Sequence, residues 1–172
     1  MKKLLAQAKT ELEIALLDIK KFSALRSKSL PFNTNDLSEK YINEIILPKI
    51  KGDNQVIYII KLKRKLDLIS TLEKYKNNHK TNKFSQINYN STSKVLYVGS
   101  VLSNFKGRVK QHLGFGSKST YSLKLAKWAK KEKLDVVIEY FVLEKTSSKI
   151  TLRLIENMLA NILKPQFGKH DE

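Results

Sequence analysis

The sequence predicts an α+β fold, because segments rich in β-branched residues alternate with segments whose apolar residues recur at helical spacing. Three short stretches are predicted strands: residues 55–62 (QVIYIIKL), 94–100 (KVLYVGS) and 135–144 (DVVIEYFVLE). Apolar residues between 152 and 163 recur with the period of a helix, which Pro165 should end. The strands therefore lie apart in sequence, with helical segments between and after them.

Composition limits the function classes. The 172 residues suit one domain with an appendage, and an apolar content of 41% is enough for a core. The absence of cysteine excludes disulfides and cysteine-ligated zinc, and the three histidines are too scattered for a histidine-built metal site. A net charge of +17 favours an anionic partner, with nucleic acid first and an anionic membrane surface second.

The N-terminus contains neither a signal peptide nor a membrane span. The first apolar run stops at Ala6, and no stretch of the chain approaches the roughly 20 apolar residues that a span requires. The expected location is therefore the cytoplasm.

The first 50 residues are predicted to form a separate helical region. Residues 3–23 have the apolar spacing of an amphipathic helix, and residues 27–35 are a predicted linker. Asp36, with Glu39 three positions on, predicts the cap of a second helix that ends before Pro48. Residues 51–172 would then form the main domain.

The main domain carries an insertion and a basic helix. A short helix around Leu66–Tyr75 is followed by a polar segment, 77–93, which is predicted to be a mobile loop, so that residues 63–92 are an insertion between two strands. Residues 105–113 form a predicted basic helix that ends at Gly114, and residues 123–129 begin another.

Glu156 is the first candidate for chemistry. Its position at the edge of the apolar stripe of the last helix places a carboxylate half in the core. Taken alone, it is more often a solvated glutamate. The alternative is a metal ligand, because magnesium is commonly held by one or two carboxylates together with water and substrate phosphate.

Arg108 and His112 lie four residues apart and should share a helix face. A solvated basic face is one interpretation. The other is a guanidinium that binds phosphate oxygens beside an imidazole that transfers a proton or contacts phosphate. Lys106 and Lys110 flank the pair and would add attraction for the DNA backbone.

Tyr58 and Tyr97 each lie in a predicted strand. They are either core tyrosines with satisfied hydroxyls or paired phenols near a reacting water. A phenol has a pKa near 10, so it must be perturbed or must relay its proton to act as a base near neutrality.

The order of these residues resembles that of the GIY-YIG nuclease family, in particular its restriction-endonuclease-like members. VIY at 56–58 corresponds to the first motif, with Val56 in place of the usual glycine, and YVG at 97–99 corresponds to the second. RVKQH at 108–112 is similar to the arginine helix of the family, and ENMLANILKPQFG at 156–168 is similar to its final helix. The resemblance covers about two-thirds of the chain.

The resemblance implies a small three-stranded antiparallel sheet flanked by helices, here with the N-terminal helical region appended. It also implies a DNA endonuclease dependent on Mg²⁺ or Mn²⁺, in which Glu156 holds the metal. Tyr58 would orient or deprotonate water, with His112 as a proton acceptor, while Tyr97 and Arg108 would contact the phosphate.

The sequence departs from the family pattern in two respects. The two tyrosine motifs usually lie close together, whereas 38 residues separate Tyr58 from Tyr97 here, which implies the insertion. Many members have asparagine twelve positions after the glutamate, where this chain has Gly168, so support would have to come from Gln166 or Asn161.

Several functional alternatives stay open. The expected partner is double-stranded DNA, and a homodimer would suit a restriction-type enzyme. A non-catalytic nucleic-acid-binding module, a homing or repair nuclease, and a membrane-surface protein are the other candidates. The acidic residues of the N-terminal helix argue against the membrane surface. The lysines expected to contact DNA are Lys106, Lys110, Lys118, Lys124 and Lys127. Amides of the 77–93 segment either contact bases or are simply solvated.

Overall fold

In the computed structural model, the described residues are 9–10, 13–14, 17, 27–52, 55–143 and 149–169. They contain four strands, β1 (Lys28–Asn33), β2 (Val56–Leu62), β3 (Val95–Val101) and β4 (Asp135–Val142). The longer helices are α1 (Ile69–Asn78), α2 (Phe105–Leu113) and α4 (Lys149–Leu163), and α3 (Leu125–Trp128) is a single turn. The α+β class predicted from the sequence is confirmed.

The strands form one antiparallel sheet in the order β1-β4-β2-β3. The three predicted strands are β2, β3 and β4, each within two residues of its expected ends. β2 and β3 pair directly, with Tyr58 opposite Gly99, so the insertion does separate two paired strands. The prediction of a three-stranded sheet is wrong, because β1 adds a fourth strand beside β4.

β1 occupies the segment that the sequence predicted to be a linker. Its six residues include Pro31, which cannot donate a backbone hydrogen bond and is therefore tolerated only where a strand has a free edge. β1 is such an edge strand, and its Leu30 and Phe32 alternate into the core while their neighbours are exposed. The strand was not predicted because it has only six residues and contains a proline.

A helical segment of residues 39–49 follows β1 and packs on the same core. Ser38, not Asp36, caps it, because the Ser38 hydroxyl accepts a bond from the backbone N–H of Tyr41. The segment changes from an α turn to a π turn (Ile42–Ile46) and then to a 3₁₀ turn (Leu47–Lys49). Pro48 lies near the start of that last turn, where its missing N–H costs little, so the predicted end before Pro48 is also wrong.

The two faces of the sheet are covered differently. Tyr58, Ile60 and Tyr140 point into the main core, which also contains Phe105 from α2 and Leu72 from α1. On the opposite face, α4 packs against β2 and β3 through two smaller apolar clusters. β3 is the edge strand at this end of the sheet, so α2 and α4 lie on opposite sides of the same edge.

The insertion is built into the domain by specific bonds. After α1, the chain forms a bridge from Phe84 to Ser122 and another from Ile87 to Phe167. The buried Gln166 amide accepts from Leu68 N–H and donates to the carbonyls of Leu66 and Ser93, so it ties both ends of the insertion to the C-terminal segment. The expectation of a loop without fixed contacts is therefore wrong for residues 83–88.

The remaining N-terminal predictions fall mostly outside the described residues. Residues 9–10, 13–14 and 17 are helical, whereas the other positions of the 3–23 helix are not described. The division at residue 50 stays a prediction, with residues 27–50 sharing the sheet and the core of the following residues. In the described part of the chain, no helix is long and apolar enough to cross a membrane.

Candidate active site

Arg108 is the centre of a hydrogen-bonded group at the β3 edge. Its Nε donates to the Tyr58 hydroxyl and one terminal nitrogen donates to the Tyr97 hydroxyl, both at 3.1 Å. The other terminal nitrogen donates to Gln111 Oε1 and to the Tyr121 carbonyl, both at 3.0 Å. These bonds use four of the five guanidinium donors. They fix the plane of the guanidinium and leave one N–H for an incoming group.

His112 holds the Tyr58 hydroxyl from a second direction. The Leu123 backbone N–H donates to His112 Nδ1 at 3.3 Å, so Nδ1 is the acceptor nitrogen of the neutral ring. Nε2 then carries the hydrogen and donates it to the Tyr58 oxygen at 3.0 Å. Burial, aided by Arg108 and Lys124, holds the pKa of His112 well below its usual value, which keeps the ring neutral.

The Tyr58 oxygen therefore accepts two hydrogen bonds, one from Arg108 and one from His112. Neither donor can accept the phenolic hydrogen, so this hydrogen must point elsewhere. The Tyr97 oxygen likewise accepts from Arg108. The two rings are stacked at 6.1 Å between centroids, and among the hydrogen bonds of the described residues the two phenolic hydrogens have no acceptor.

Gly99 makes room for Tyr58. A Cβ at position 99 would lie 2.5 Å from the Tyr58 hydroxyl oxygen and 2.8 Å from a ring carbon of Tyr97. Both distances are shorter than real side chains permit, so only glycine lets both phenols lie against the edge strand.

Glu156 approaches the same edge from the other side of the sheet. It projects from α4, is half-buried, and accepts a bond from the Ser100 hydroxyl at 2.5 Å. Ser100 follows Gly99 on β3, and successive strand residues point to opposite faces. The carboxylate and the phenols thus lie on either side of one strand, near enough for the Glu156 charge to raise the pKa of both tyrosines.

The sequence-family model for the GIY-YIG catalytic domain matches residues 56–161, more than half of the chain. The chain belongs to the GIY-YIG family. No curated protein and no solved structure gives a significant match.

The GIY-YIG site carries an unbalanced positive charge. In the described part of the chain, Arg108 has no carboxylate within ion-pair distance, and its acceptors are neutral oxygens. Burial is the largest cause of the raised pKa of Tyr58, Tyr97 and Glu156. An anion would relieve the guanidinium charge, whereas a cation would relieve the buried carboxylate.

Glu156 is chemically suited to a divalent metal. Its pKa is raised because burial disfavours the carboxylate, and a bound cation would oppose that effect. No group of three or more His, Cys, Asp or Glu side chains among the described residues could hold an ion. Glu156 would therefore be the one carboxylate of a site completed by water and phosphate, which is a normal environment for magnesium.

The predicted DNA-binding lysines lie in different environments. Lys106, Lys118 and Lys127 are exposed, and Lys110 pairs with Glu39 at 3.3 Å. Lys124 is buried, and its amine donates to the Ser117 carbonyl at 2.7 Å. It therefore adds positive potential near Arg108, but it does not lie on the surface where DNA could contact it directly.

Gly168 and Gln166 have clear structural roles. Gly168 has φ +124°, and its N–H donates to Gln86, while the ring of Tyr97 lies against it. A φ of +124° lies beyond the left-handed helical region that asparagine can adopt, so the backbone at this point does not suit the asparagine of other members. Gln166 is fully used in fixing the insertion, and Asn161 is exposed on α4.

Sequence reasoning missed four contributors to this site: Ser100, Gln111, Tyr121 and Leu123. Two of them act through backbone groups, which leave no residue-type signal. Gln111 lies three residues after Arg108 on the same helix and could have been identified by that spacing. Ser100 could have been identified only once its strand had been placed beneath α4.

Proposed function

We propose that this protein is a divalent-metal-dependent DNA endonuclease in which Tyr58, Tyr97, Arg108 and Glu156 contact the reacting groups. The observation that carries the proposal is that two phenolic hydrogens and one guanidinium N–H have no acceptor among the described residues, across one strand from a half-buried carboxylate. A scissile phosphodiester supplies anionic acceptors for the donors. The family assignment makes double-stranded DNA the expected substrate.

Arg108 and Tyr97 would bind the phosphate. The remaining guanidinium N–H and the Tyr97 hydroxyl hydrogen can both donate to phosphate oxygens. Because Tyr58 and Tyr97 fix the guanidinium beforehand, little reorganisation is needed when negative charge grows in the transition state.

Tyr58 would orient the attacking water and accept its proton. Burial raises the pKa of Tyr58, so the phenolate forms only with help from neighbouring donors. Arg108 and His112 both donate to its oxygen, and two such bonds stabilise the phenolate over the phenol.

His112 is then a positioning residue instead of the proton acceptor expected from the sequence. To accept a proton at Nε2, His112 would need its own hydrogen on Nδ1, either in the other neutral tautomer or in the cationic ring. In both states the Nδ1 hydrogen would face the Leu123 N–H, which is also a donor. The proton must therefore leave Tyr58 by another route, such as water.

Glu156 would hold the metal, with Ser100 orienting its carboxylate. A bound Mg²⁺ or Mn²⁺ supplies Lewis-acid stabilisation of the phosphate and of the departing 3′-oxygen. The proposal names both ions as candidates for this site.

Incubation of supercoiled plasmid with the protein in Mg²⁺, in Mn²⁺ and in chelator tests the proposal. We expect nicked or linear product only with metal, and loss of product in Glu156→Ala with DNA affinity largely kept, because affinity depends on dispersed lysines. Tyr58→Phe should lower the rate by about 10²–10⁴-fold, as expected for a lost proton acceptor. Glu156→Ala cutting at the wild-type rate would refute the assignment of the metal site.

A non-catalytic DNA-binding module is the second candidate, favoured by Val56 and Gly168 in place of family residues. A gel shift that persists in Mg²⁺ without strand breakage would support it. A restriction-type role, a homodimer and a cytoplasmic location are further parts of the nuclease proposal. Sequencing of product ends and analytical ultracentrifugation test the first two.

A further inference from the structure

Tyr121 is an exposed aromatic residue attached directly to the site. Its side chain is 62% exposed, and within the described residues its hydroxyl has no hydrogen-bond partner. Its carbonyl accepts the bond from Arg108, so the ring starts from a residue that touches the catalytic guanidinium. A large exposed ring is thus carried by a residue whose backbone is bonded to the candidate site.

Lys83 lies next to this ring. Its amine is 5.4 Å from the centroid of Tyr121, and its backbone N–H donates to the Lys118 carbonyl. The parallel bridge from Phe84 to Ser122 continues this contact, so the insertion and the loop before α3 run side by side here. The ring and the ammonium group thus stand on two fixed segments.

We infer that Tyr121 and Lys83 form a subsite for an unstacked nucleobase and its phosphate, next to the scissile phosphate. This inference rests on the proposed nuclease function. An aromatic ring can stack on any base, and such stacking is a common basis of single-strand binding. The ammonium group supplies the phosphate contact that accompanies it. The preferred substrate would therefore be DNA with an unpaired or kinked base at the cleavage point.

A paired base inside a duplex cannot present its face to a protein ring, because both faces are stacked on neighbours. Unstacking costs least where the base is already unpaired. The Tyr121 subsite should therefore distinguish two DNA molecules that have the same charge and length but differ in local pairing.

The test measures binding in Ca²⁺, with cleavage recorded separately in Mg²⁺. The probes are a fluorescein-labelled 30-base-pair duplex and the same duplex with two central mismatches. We expect Tyr121→Ala to lose about tenfold in affinity for the mismatched duplex, as for one lost base–aromatic contact, and little for the paired duplex. Tyr121→Phe should bind both as the wild type does, because the ring and not the hydroxyl makes the contact.

Tyr89→Ala is the matched control, because Tyr89 is similarly exposed, at 64%, and its hydroxyl donates to Glu73 on α1, whereas the Tyr121 carbonyl is bonded to Arg108. It should change neither affinity more than about twofold. Lys83→Ala should weaken binding to both duplexes and reduce the salt slope by about 1, whereas Tyr121→Ala should leave the slope unchanged.

Equal affinities of wild type and Tyr121→Ala for the mismatched duplex would overturn the inference, and so would equal losses in Tyr121→Ala and Tyr89→Ala. Failure of the nuclease function would appear differently, as wild-type protein that cuts neither duplex in Mg²⁺. A binding protein without cleavage could still show the Tyr121 effect in Ca²⁺.

Discussion

Gly99→Ala should disrupt the site while adding only one methyl group. The new Cβ would lie 2.5 Å from the Tyr58 hydroxyl oxygen, and ordinary contacts begin near 3.4 Å. The ring must therefore withdraw by about 0.9 Å, the difference between the two distances. A shift of this size would take the bonds from His112 and Arg108, now 3.0 and 3.1 Å, out of hydrogen-bonding geometry.

The expected cost in the free energy of unfolding is on the order of 2–4 kcal/mol, combining overpacking with weakened hydrogen bonds. In urea this corresponds to a midpoint lowered by about 1–2 M for a slope near 2 kcal/mol per molar. Cleavage should fall by about 10²-fold, as for a catalytic group misplaced by nearly 1 Å. Urea unfolding followed by circular dichroism and plasmid nicking measure the two effects.

The background variant Tyr58→Leu is the control. Removing the phenol removes most of the collision, so the added cost of Gly99→Ala should be much smaller in this background, with a coupling of at least about 1 kcal/mol. A Gly99→Ala protein that unfolds at the wild-type midpoint and cuts at the wild-type rate would refute this account of the glycine. Equal costs in both backgrounds would show that the strain lies elsewhere.

Three further outcomes follow from buried groups. Glu156→Gln should raise the thermal midpoint at pH 7 in chelator while abolishing cleavage. Burial raises the pKa of Glu156, so above the ordinary pKa of about 4.3 the ionised carboxylate lowers the free energy of unfolding, and glutamine removes this effect. An unchanged midpoint would contradict this reasoning. The free energy of unfolding should fall as pH drops below about 6.5, because His112 is protonated in the unfolded chain but stays neutral in the folded protein. His112→Gln should make the free energy of unfolding less dependent on pH in urea titrations at pH 5–8. Gln166→Ala should cost on the order of 1–3 kcal/mol, because it leaves one buried N–H and two partly buried carbonyls without their partner, whereas exposed Asn161→Ala should cost almost nothing. Equal midpoints would exclude the proposed tie.

The sequence was most informative where local pattern and burial agree. β2, β3, β4 and α4 have strong apolar periods, and their boundaries were predicted within a few residues. In α4, however, the predicted stripe included Met158 and Ile162, which are 48% and 72% exposed. The helix packs on β2 and β3 through only part of its apolar stripe, so its buried face is narrower than the apolar spacing implied.

The missed strand β1 shows what pattern alone cannot supply. Its two inward residues give no detectable alternation, and its pairing with β4 joins positions about 100 residues apart. The same limit applies to the site. The order of Tyr58, Tyr97 and Arg108 could be recognised by resemblance, but the direction of the His112 bond depends on the Leu123 N–H, which no side-chain pattern encodes.

The tie made by Gln166 also has a consequence for biosynthesis. This amide joins positions separated by 98 and 100 residues. Contacts of such long range close late, because the intervening chain must first be ordered. A ribosome-bound chain interrupted before Gln166 lacks the group that ties both ends of the insertion, so the insertion reaches its final place only after residue 166 has been synthesised.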